Sequence, residues 1–320
     1  MFFILFYHEL LFFIVKMDDT IIYKALEMPL HVGVICFVLI SGYFHIRPSI
    51  HGAVKLLMPL LLFYLPLTLW EMADGVGPAK SLFIFSKSPY WFIRTYFYLF
   101  LISPILNNFL INNKQRFQML CVLFFIAVYM GTMHEPSLKN GKNLALFMFL
   151  YVLGDCLKAL KSKYERWRLK WMILAYLTLN IVIVITYIIY HDNILGKLVW
   201  LMSFPYCSPI LILNATLLFL VFAKISFKSR VINWLSSSVL SIYVLHHQHF
   251  ILCALIGSGV YTIYRIQTSV YGLLLGLVTF TIVIMSVCIV IDKLFRLTQI
   301  DAILTKYIVK ANNYIQSKIF

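Results

Sequence analysis

The chain consists largely of long apolar runs separated by short polar connections. A helix needs about 20 mostly apolar residues to cross the hydrocarbon core of a bilayer, although somewhat shorter runs also suffice. The pattern therefore predicts an all-α integral membrane fold in which each run is a transmembrane helix. The runs cover residues 30–46, 54–70, 90–111, 118–133, 144–158, 171–190, 206–223, 239–256 and 271–292.

The composition supports the same fold class. Hydrophobic residues make up 62% of the 320 residues and charged residues only 12%. A soluble globule of this length has too little polar sequence to cover so much apolar surface. This excludes an ordinary soluble enzyme, a disordered chain and a secreted disulfide scaffold. The six cysteines form no CxxC pair and lie mostly in apolar runs, so we expect no disulfide and no metal site.

A further apolar run, Met1–Val15, opens the chain but is shorter than a full span. It has neither a basic start nor a small-residue cleavage site, which argues against a signal peptide. We interpret it as the outer part of a first transmembrane helix that is truncated at its N-terminus. The predicted architecture is a polytopic bundle of about ten transmembrane helices that forms a single domain over residues 1–320.

The distribution of basic residues predicts the orientation. Eighteen Lys and Arg residues follow the even-numbered helices and eight follow the odd-numbered ones. Because basic residues accumulate on the cytoplasmic side, both termini are predicted to be cytoplasmic. The formal net charge of +15 is scattered over these short connections, so we expect membrane lipid and no nucleic acid as a partner.

Four places carry ionisable residues where the chain should be in lipid, and such residues are functional candidates by default. They are His8 with Glu9, His31, Arg94, and the segment Tyr243–His249. His8 is predicted to lie about 10 Å inside the membrane from the outer end of its helix, and a structural hydrogen bond is the alternative to a chemical role. Arg94 either extends to the interface or holds an anionic or hydroxylated substrate.

In the predicted ninth helix, Tyr243, His246 and His249 fall on one face. These side chains should face protein or a water-filled cavity, because lipid offers no hydrogen-bond partner. The spacing also permits a metal site, but the sequence fixes no third ligand.

Two further segments stand out. Ser41 and Gly42 end the second predicted helix and would allow a neighbouring helix or a ligand to approach closely. The segment 203–209 holds two prolines, which predicts a re-entrant or broken stretch that must be lined by protein or water.

Several segments resemble the acyltransferase family 3 of bacterial membrane proteins. Met1–Phe13 is similar to the end of that family's first helix, with His8 in the place of its histidine. The other matching segments, in chain order, are Phe37–Phe44 (FVLISGYF), Trp91–Tyr96, Leu101–Asn107, Ser208–Phe219 and Leu235–His246. The resemblance covers essentially the whole chain, and the order of the segments is its most specific feature.

The resemblance implies a multi-pass protein of the bacterial inner membrane that moves an acyl group, usually acetyl, from acyl-CoA to a sugar of an envelope or exopolysaccharide. No permanently bound cofactor is expected, with acyl-CoA as co-substrate and a glycan or lipid-linked sugar as acceptor. It implies His8 as the catalytic residue, and we expect Glu9 to orient it. The remaining candidates are substrate contacts at Arg94, Trp91, Tyr96, Ser41, Tyr243 and His246, and contacts to the donor phosphates at Arg47 and Lys55.

Two alternatives remain open. Ten helices also suit a transporter or flippase of a lipid-linked or small anionic substrate that uses the histidines as a proton relay, although no internal repeat is visible. The family also has an arginine and an acidic residue upstream of its histidine, and this sequence starts after that point. A truncated, inactive homologue is therefore the second alternative.

Overall fold

A computed structural model describes residues 1–16, 21–73, 90–132, 139–247, 255–266 and 269–319. Within these ranges the regular structure is helical, as the apolar runs predict. The helices are α1 (Phe2–Lys16), α2 (Ile21–Leu30), α3 (Val32–Phe44), α4 (Ile50–Pro59), α5 (Leu65–Ala73), α6 (Trp91–Phe109), α7 (Asn113–Gly131), α8 (Leu144–Ala159), α9 (Lys161–Tyr164), α10 (Leu169–Tyr190), α11 (Ile194–Ser203), α12 (Pro209–Lys224), α13 (Arg230–Ser236), α14 (Val239–His246), α15 (Gly257–Ile266), α16 (Val270–Leu297) and α17 (Ile300–Ile319). A π-helical turn, Leu60–Tyr64, joins α4 to α5, and a 3-10 turn, Lys139–Gly141, precedes α8.

The chain forms two compact units, and each is built from separated segments. The helix-one unit comprises Phe2–Arg47 and Tyr98–Lys228, and the C-terminal unit comprises Met1, Pro48–Phe97 and Ser229–Phe320. The chain therefore passes from one unit to the other several times.

Four helical stretches are long and apolar enough to cross a membrane, and each overlaps a predicted run. Three shorter apolar helices accompany them within the described residues, and the count of ten spanning helices stays a prediction. Most apolar side chains of α10 are exposed on the protein surface, as contact with lipid tails requires. The four stretches are Ile21–Phe44, Ile50–Trp70, Leu169–Tyr190 and Val270–Leu297.

The predicted ninth helix, 239–256, is shorter in the structure. α14 ends at His246 with His247 as its C-cap, and residues 248–254, which include His249, lie outside the described residues. Helices also form where the sequence predicted connections, namely α2 up to Leu30, α9, α11, α13, α15 and α17.

The closest helix crossing in the helix-one unit joins α3 to α8. A Cβ atom on Gly42 would overlap the backbone carbonyl of Tyr151, and one on Gly154 would overlap that of Leu39. Two glycines on facing helices let the backbones touch, which is how small residues pack membrane helices. The Ser-Gly step at the end of α3 therefore serves helix packing, one of the two roles that the sequence left open.

In the C-terminal unit, the π-helical turn has a local cause. Pro66 lacks a backbone N–H and its ring crowds the preceding turn, while the N–H of Leu65 bonds to the carbonyl of Leu60, five residues back. The widened turn therefore lets one helical stretch continue through a proline.

Candidate functional site

His8 lies near the middle of α1, and its side chain is half-buried. Its ring centroid is 5.1 Å from that of Tyr7. The neighbouring Glu9 is completely buried, at 0% exposure. A half-buried imidazole is shielded from bulk solvent and can still be reached by a substrate, which suits a general base.

Tyr7 connects this part of α1 to a polar cluster at the junction of α2 and α3. Its ring packs edge-on against His31, with centroids 4.5 Å apart, and its hydroxyl forms a hydrogen bond with the carboxylate of Glu27. Glu27 is only 5% exposed. Glu27 lies between the first two predicted transmembrane helices, and the structure buries it in α2.

His31 stands at the turn between α2 and α3. Its Nδ1 atom lies 2.8 Å from the backbone carbonyl oxygen of Phe204. Its ring stacks on Tyr206, with centroids 5.0 Å apart, and contacts the ring of Phe204 at 4.3 Å. Lys142 is close enough to His31 for the two side chains to interact electrostatically. Burial lowers the pKa of Lys142 below its usual range.

The predicted break in segment 203–209 is confirmed. α11 ends at Ser203, and α12 begins at Pro209 with Ser208 as its N-cap. Between them the backbone N–H of Tyr206 donates to the carbonyl of Asn140 at 2.9 Å. Protein therefore lines this break, as non-helical backbone within a membrane protein requires.

At the other end of α3, the Ser41 hydroxyl donates to the Phe37 carbonyl one turn earlier, at 2.9 Å. His45 follows the helix in a left-handed conformation, with φ of 60°. Its Nε2 atom lies 2.6 Å from a carboxylate oxygen of Asp155, whose other oxygen lies 2.6 Å from Nε of Arg116. We call these three residues the His45 cluster.

The backbone beside the His45 cluster is held by a closed ring of hydrogen bonds. The N–H of Ile46 donates to the Tyr151 hydroxyl at 3.0 Å, and that hydroxyl donates to Oδ1 of Asn107 at 2.7 Å. The amide of Asn107 donates back to the Ile46 carbonyl at 3.0 Å. These contacts fix the exposed Arg47, a candidate for the donor phosphates, at the end of a rigid segment.

In the C-terminal unit, the start of α6 packs against α14. Phe92 stacks on Tyr96 with centroids 5.8 Å apart, and contacts Tyr243 at 5.6 Å. The edge of the Trp91 ring meets Phe92 at 6.2 Å. Three of the candidate substrate contacts, Trp91, Tyr96 and Tyr243, are therefore brought together around one phenylalanine that the sequence analysis did not single out.

His246 and Arg94 belong to the same two helices. His246 is completely buried, its ring lies 5.7 Å from that of Tyr243, and its Nδ1 bonds to the Ile242 carbonyl at 2.8 Å. Arg94 is half-buried in the first turns of α6.

The C-terminal unit also contains a cavity of about 1010 Å³. Lys55 of α4 lines it together with Arg296 of α16 and two lysines of α17, Lys306 and Lys310. Asp292, which also lines it, accepts hydrogen bonds from Arg296 and from Ser238 and Ser241. Asp292 neutralises Arg296 and Asp301 offsets one of the three lysines, so the lining keeps a net positive charge that suits an anionic ligand.

The sequence analysis missed the partners of several of these groups. Asp155 is an acidic residue inside the apolar run 144–158, and an intramembrane carboxylate could have been identified by the same argument that selected His8. The hydrogen-bonded ring around Ile46 could not be predicted in this way, because asparagine and tyrosine, the residue types at 107 and 151, are common in interfacial helices. The two lysines of α17 were counted only as terminal charge.

A family model described as an acyltransferase domain matches residues 1–293. No curated protein and no solved structure matches the chain. The matched range contains every candidate residue that the sequence analysis named, and it ends before α17.

Proposed function

The chain belongs to acyltransferase family 3, and we propose that it transfers an acyl group, most simply acetyl, from acyl-CoA to a hydroxyl of an envelope or exopolysaccharide sugar. The observation that carries this proposal is the position of His8, half-buried in α1 beside the buried Glu9. A sugar hydroxyl is a poor nucleophile until a base takes its proton, and an imidazole does this near neutral pH.

In the proposed reaction, His8 accepts the proton of the acceptor hydroxyl, and the hydroxyl oxygen attacks the thioester carbonyl of the donor. The tetrahedral intermediate collapses, the carbon–sulfur bond breaks, and the CoA thiolate leaves and takes up the proton. The products are the sugar ester and free CoA. Glu9 orients His8 in this scheme.

The donor site is proposed at the cavity of the C-terminal unit. Its three lysines, Lys55 among them, supply the positive charge that the phosphates of acyl-CoA require. Arg47, exposed three residues after α3 in the helix-one unit, stays a predicted phosphate contact. In the predicted topology all of these residues face the cytoplasm, where acyl-CoA is made, and the protein lies in the bacterial inner membrane with both termini inside.

The proposal is tested with the full chain purified in lipid nanodiscs and supplied with radiolabelled acetyl-CoA and a saccharide acceptor. Wild-type protein should release free CoA thiol and form a labelled saccharide ester. His8→Gln should lower turnover by about 10²–10⁴-fold, whereas His191→Gln, at the exposed end of α10, should not. A transporter or an inactive homologue would leave the thioester intact in every sample.

A further inference from the structure

Three polar atoms at the junction of α2, α3, α11 and α12 are buried without a hydrogen-bond partner among the described residues. They are Nε2 of His31 and the hydroxyl oxygens of Ser203 and Ser208. These residues are at most 4% exposed. We call these three residues, with Glu27, the His31 cluster.

The four residues come together because of the break between α11 and α12. Ser203 ends α11 and Ser208 is the N-cap of α12, while Phe204 and Tyr206, which lie between them, contact His31. Ser208 occupies an N-cap position, yet its side chain makes no capping hydrogen bond. Its hydroxyl is therefore not used in the way that usually explains a serine at this place.

An unsatisfied buried polar group is destabilising, and folded proteins contain few of them. Three of them on neighbouring stretches of the chain around one break indicate that the sequence retains them for another reason than stability. Their chemistry is that of a hydroxyl-binding site: imidazole nitrogen and serine hydroxyls donate and accept, and the carboxylate of Glu27 accepts.

The surroundings of these polar atoms have the same character. The rings of Tyr7, Phe204 and Tyr206 all lie within 5.0 Å of the His31 ring, measured between centroids. Flat aromatic faces beside a few convergent polar groups are typical of pockets that bind small polar ligands. Tyr7 is half-buried and contacts both the His31 ring and the ring of His8, the proposed base.

We infer that the His31 cluster binds hydroxyl groups of the carbohydrate acceptor, an inference that rests on the proposed function. His31 Nε2, Ser203 and Ser208 hydrogen-bond to sugar hydroxyls, and the aromatic rings contact the apolar face of the sugar. Tyr7 places the bound sugar next to His8. The cluster thus selects and positions the acceptor, while the proton transfer is left to His8.

Substitutions at His31 separate binding from a purely structural role. In His31→Asn the side-chain amide replaces Nδ1 and keeps the bond to the Phe204 carbonyl, but Nε2 is lost. In His31→Gln the amide reaches the position of Nε2 and the bond to Phe204 is lost. If the cluster binds the acceptor, His31→Asn impairs binding more than His31→Gln. If His31 only supports the fold through its bond to Phe204, His31→Gln is the more impaired variant.

The measurement is the KM for the saccharide acceptor, with kcat and the KM for acetyl-CoA determined on the same nanodisc samples. We expect His31→Asn and Ser208→Ala each to raise the acceptor KM about 5- to 20-fold and to leave the other two constants within about two-fold. Ser286→Ala, which removes an exposed hydroxyl of α16, is the matched control. Unchanged acceptor KM values in both cluster variants overturn the inference.

A second measurement does not require any transfer activity. The Trp200 ring stacks on Phe204 with centroids 4.9 Å apart, so its fluorescence reports on the cluster when a Trp200→Phe sample is subtracted. Methyl glucoside, methyl N-acetylglucosaminide and maltotriose are titrated without donor, and we expect a saturable change that His31→Asn abolishes. If no acyl transfer occurs but this change does, the proposed function fails and the binding inference stands. If none of these sugars changes the fluorescence, the inference is overturned.

Discussion

The helix-one unit holds two polar clusters, one at each end of α3, that are built from similar residue types and paired very differently. In the His45 cluster, the Asp155 carboxylate lies 2.6 Å from Nε2 of His45 and from Nε of Arg116, and the Arg116 contact is an ion pair without hydrogen-bond geometry. In the His31 cluster, one nitrogen of His31 is bonded, whereas its other nitrogen and two serine hydroxyls have no partner among the described residues. Opposite charges that lie in contact stabilise the fold, whereas polar atoms without a partner are available to a ligand. The expected effects of substitution therefore differ in kind.

Asp155→Ala should give the largest loss of stability. Its carboxylate is 3% exposed and lies against the Arg116 guanidinium and the His45 ring, so its removal leaves Arg116 without its counter-ion. The loss expected for breaking a buried ion pair is about 3–5 kcal/mol. This loss of stability would appear as a lower Tm of the detergent-solubilised protein, measured by size-exclusion chromatography with fluorescence detection. Glu165→Ala, which breaks an exposed pair with Lys161, should cost under about 1 kcal/mol.

Gly42→Ala should destabilise the helix-one unit by about 1–3 kcal/mol, because the new methyl group overlaps the Tyr151 carbonyl and forces α3 away from α8. Gly33→Ala, at the His31 end of α3, meets a side-chain atom of Ile4 at 3.1 Å and should be milder. Comparison of the two Tm values checks this order. Equal losses would contradict the assignment of the Ser-Gly step to helix packing.

Tyr151→Phe should cost about 1–3 kcal/mol, because it leaves the N–H of Ile46 buried without an acceptor. The same variant frees the segment that carries Arg47, so the KM for acetyl-CoA should rise while the acceptor KM does not. The Tm and both KM values test this together. A change in the acceptor KM instead would mean that the two ends of α3 are not independent.

Ser203→Ala should leave the Tm unchanged or raise it slightly, by the equivalent of up to about 1 kcal/mol, because it removes a buried hydroxyl that lacks a partner. A loss of stability comparable to that of Tyr151→Phe would show that this hydroxyl is bonded in solution. The contrast between the two clusters would then disappear.

Lys142→Met, near His31, should change the free energy of unfolding least, by less than about 0.5 kcal/mol. Its pKa is lowered in the folded protein by burial, so the unfolded chain binds more protons than the folded one between that lowered pKa and the ordinary value of 10.5. Stability attributable to Lys142 therefore rises as the pH increases through this alkaline window. Thermal unfolding of wild type and Lys142→Met across that range should show a slope that only the wild type has.

The sequence predicted the parts of this molecule that follow from local pattern. Apolar length identified the membrane class, prolines identified the break at 203–209, and intramembrane charge identified His8 and His31. The pattern could not show that residues of this break contact His31, because the two segments are far apart in the chain. They meet only through the packing of α2, α3 and α12. It also could not choose between a neighbouring helix and a ligand at Gly42, since both need the same missing Cβ.

The candidate donor cavity is another feature that local sequence pattern could not predict. Lys55 was selected by its position on a predicted cytoplasmic connection, and the structure places it in a cavity. The lysines of α17 that share the cavity lie beyond the family match. Their contribution depends on where a terminal helix packs, which a count of charges does not reveal.

The order in which the two units use the chain has a consequence for how the protein is made. α4 leaves the ribosome before most of the helix-one unit, yet α14 and α17, which contact it, are synthesised after that unit. The crossing of α3 with α8 must likewise wait until α4 to α7 have been inserted. During that interval Lys55 and the polar groups of α4 and α5 are in the membrane without their final neighbours, so assembly should depend on the insertion machinery or a membrane chaperone to shelter them.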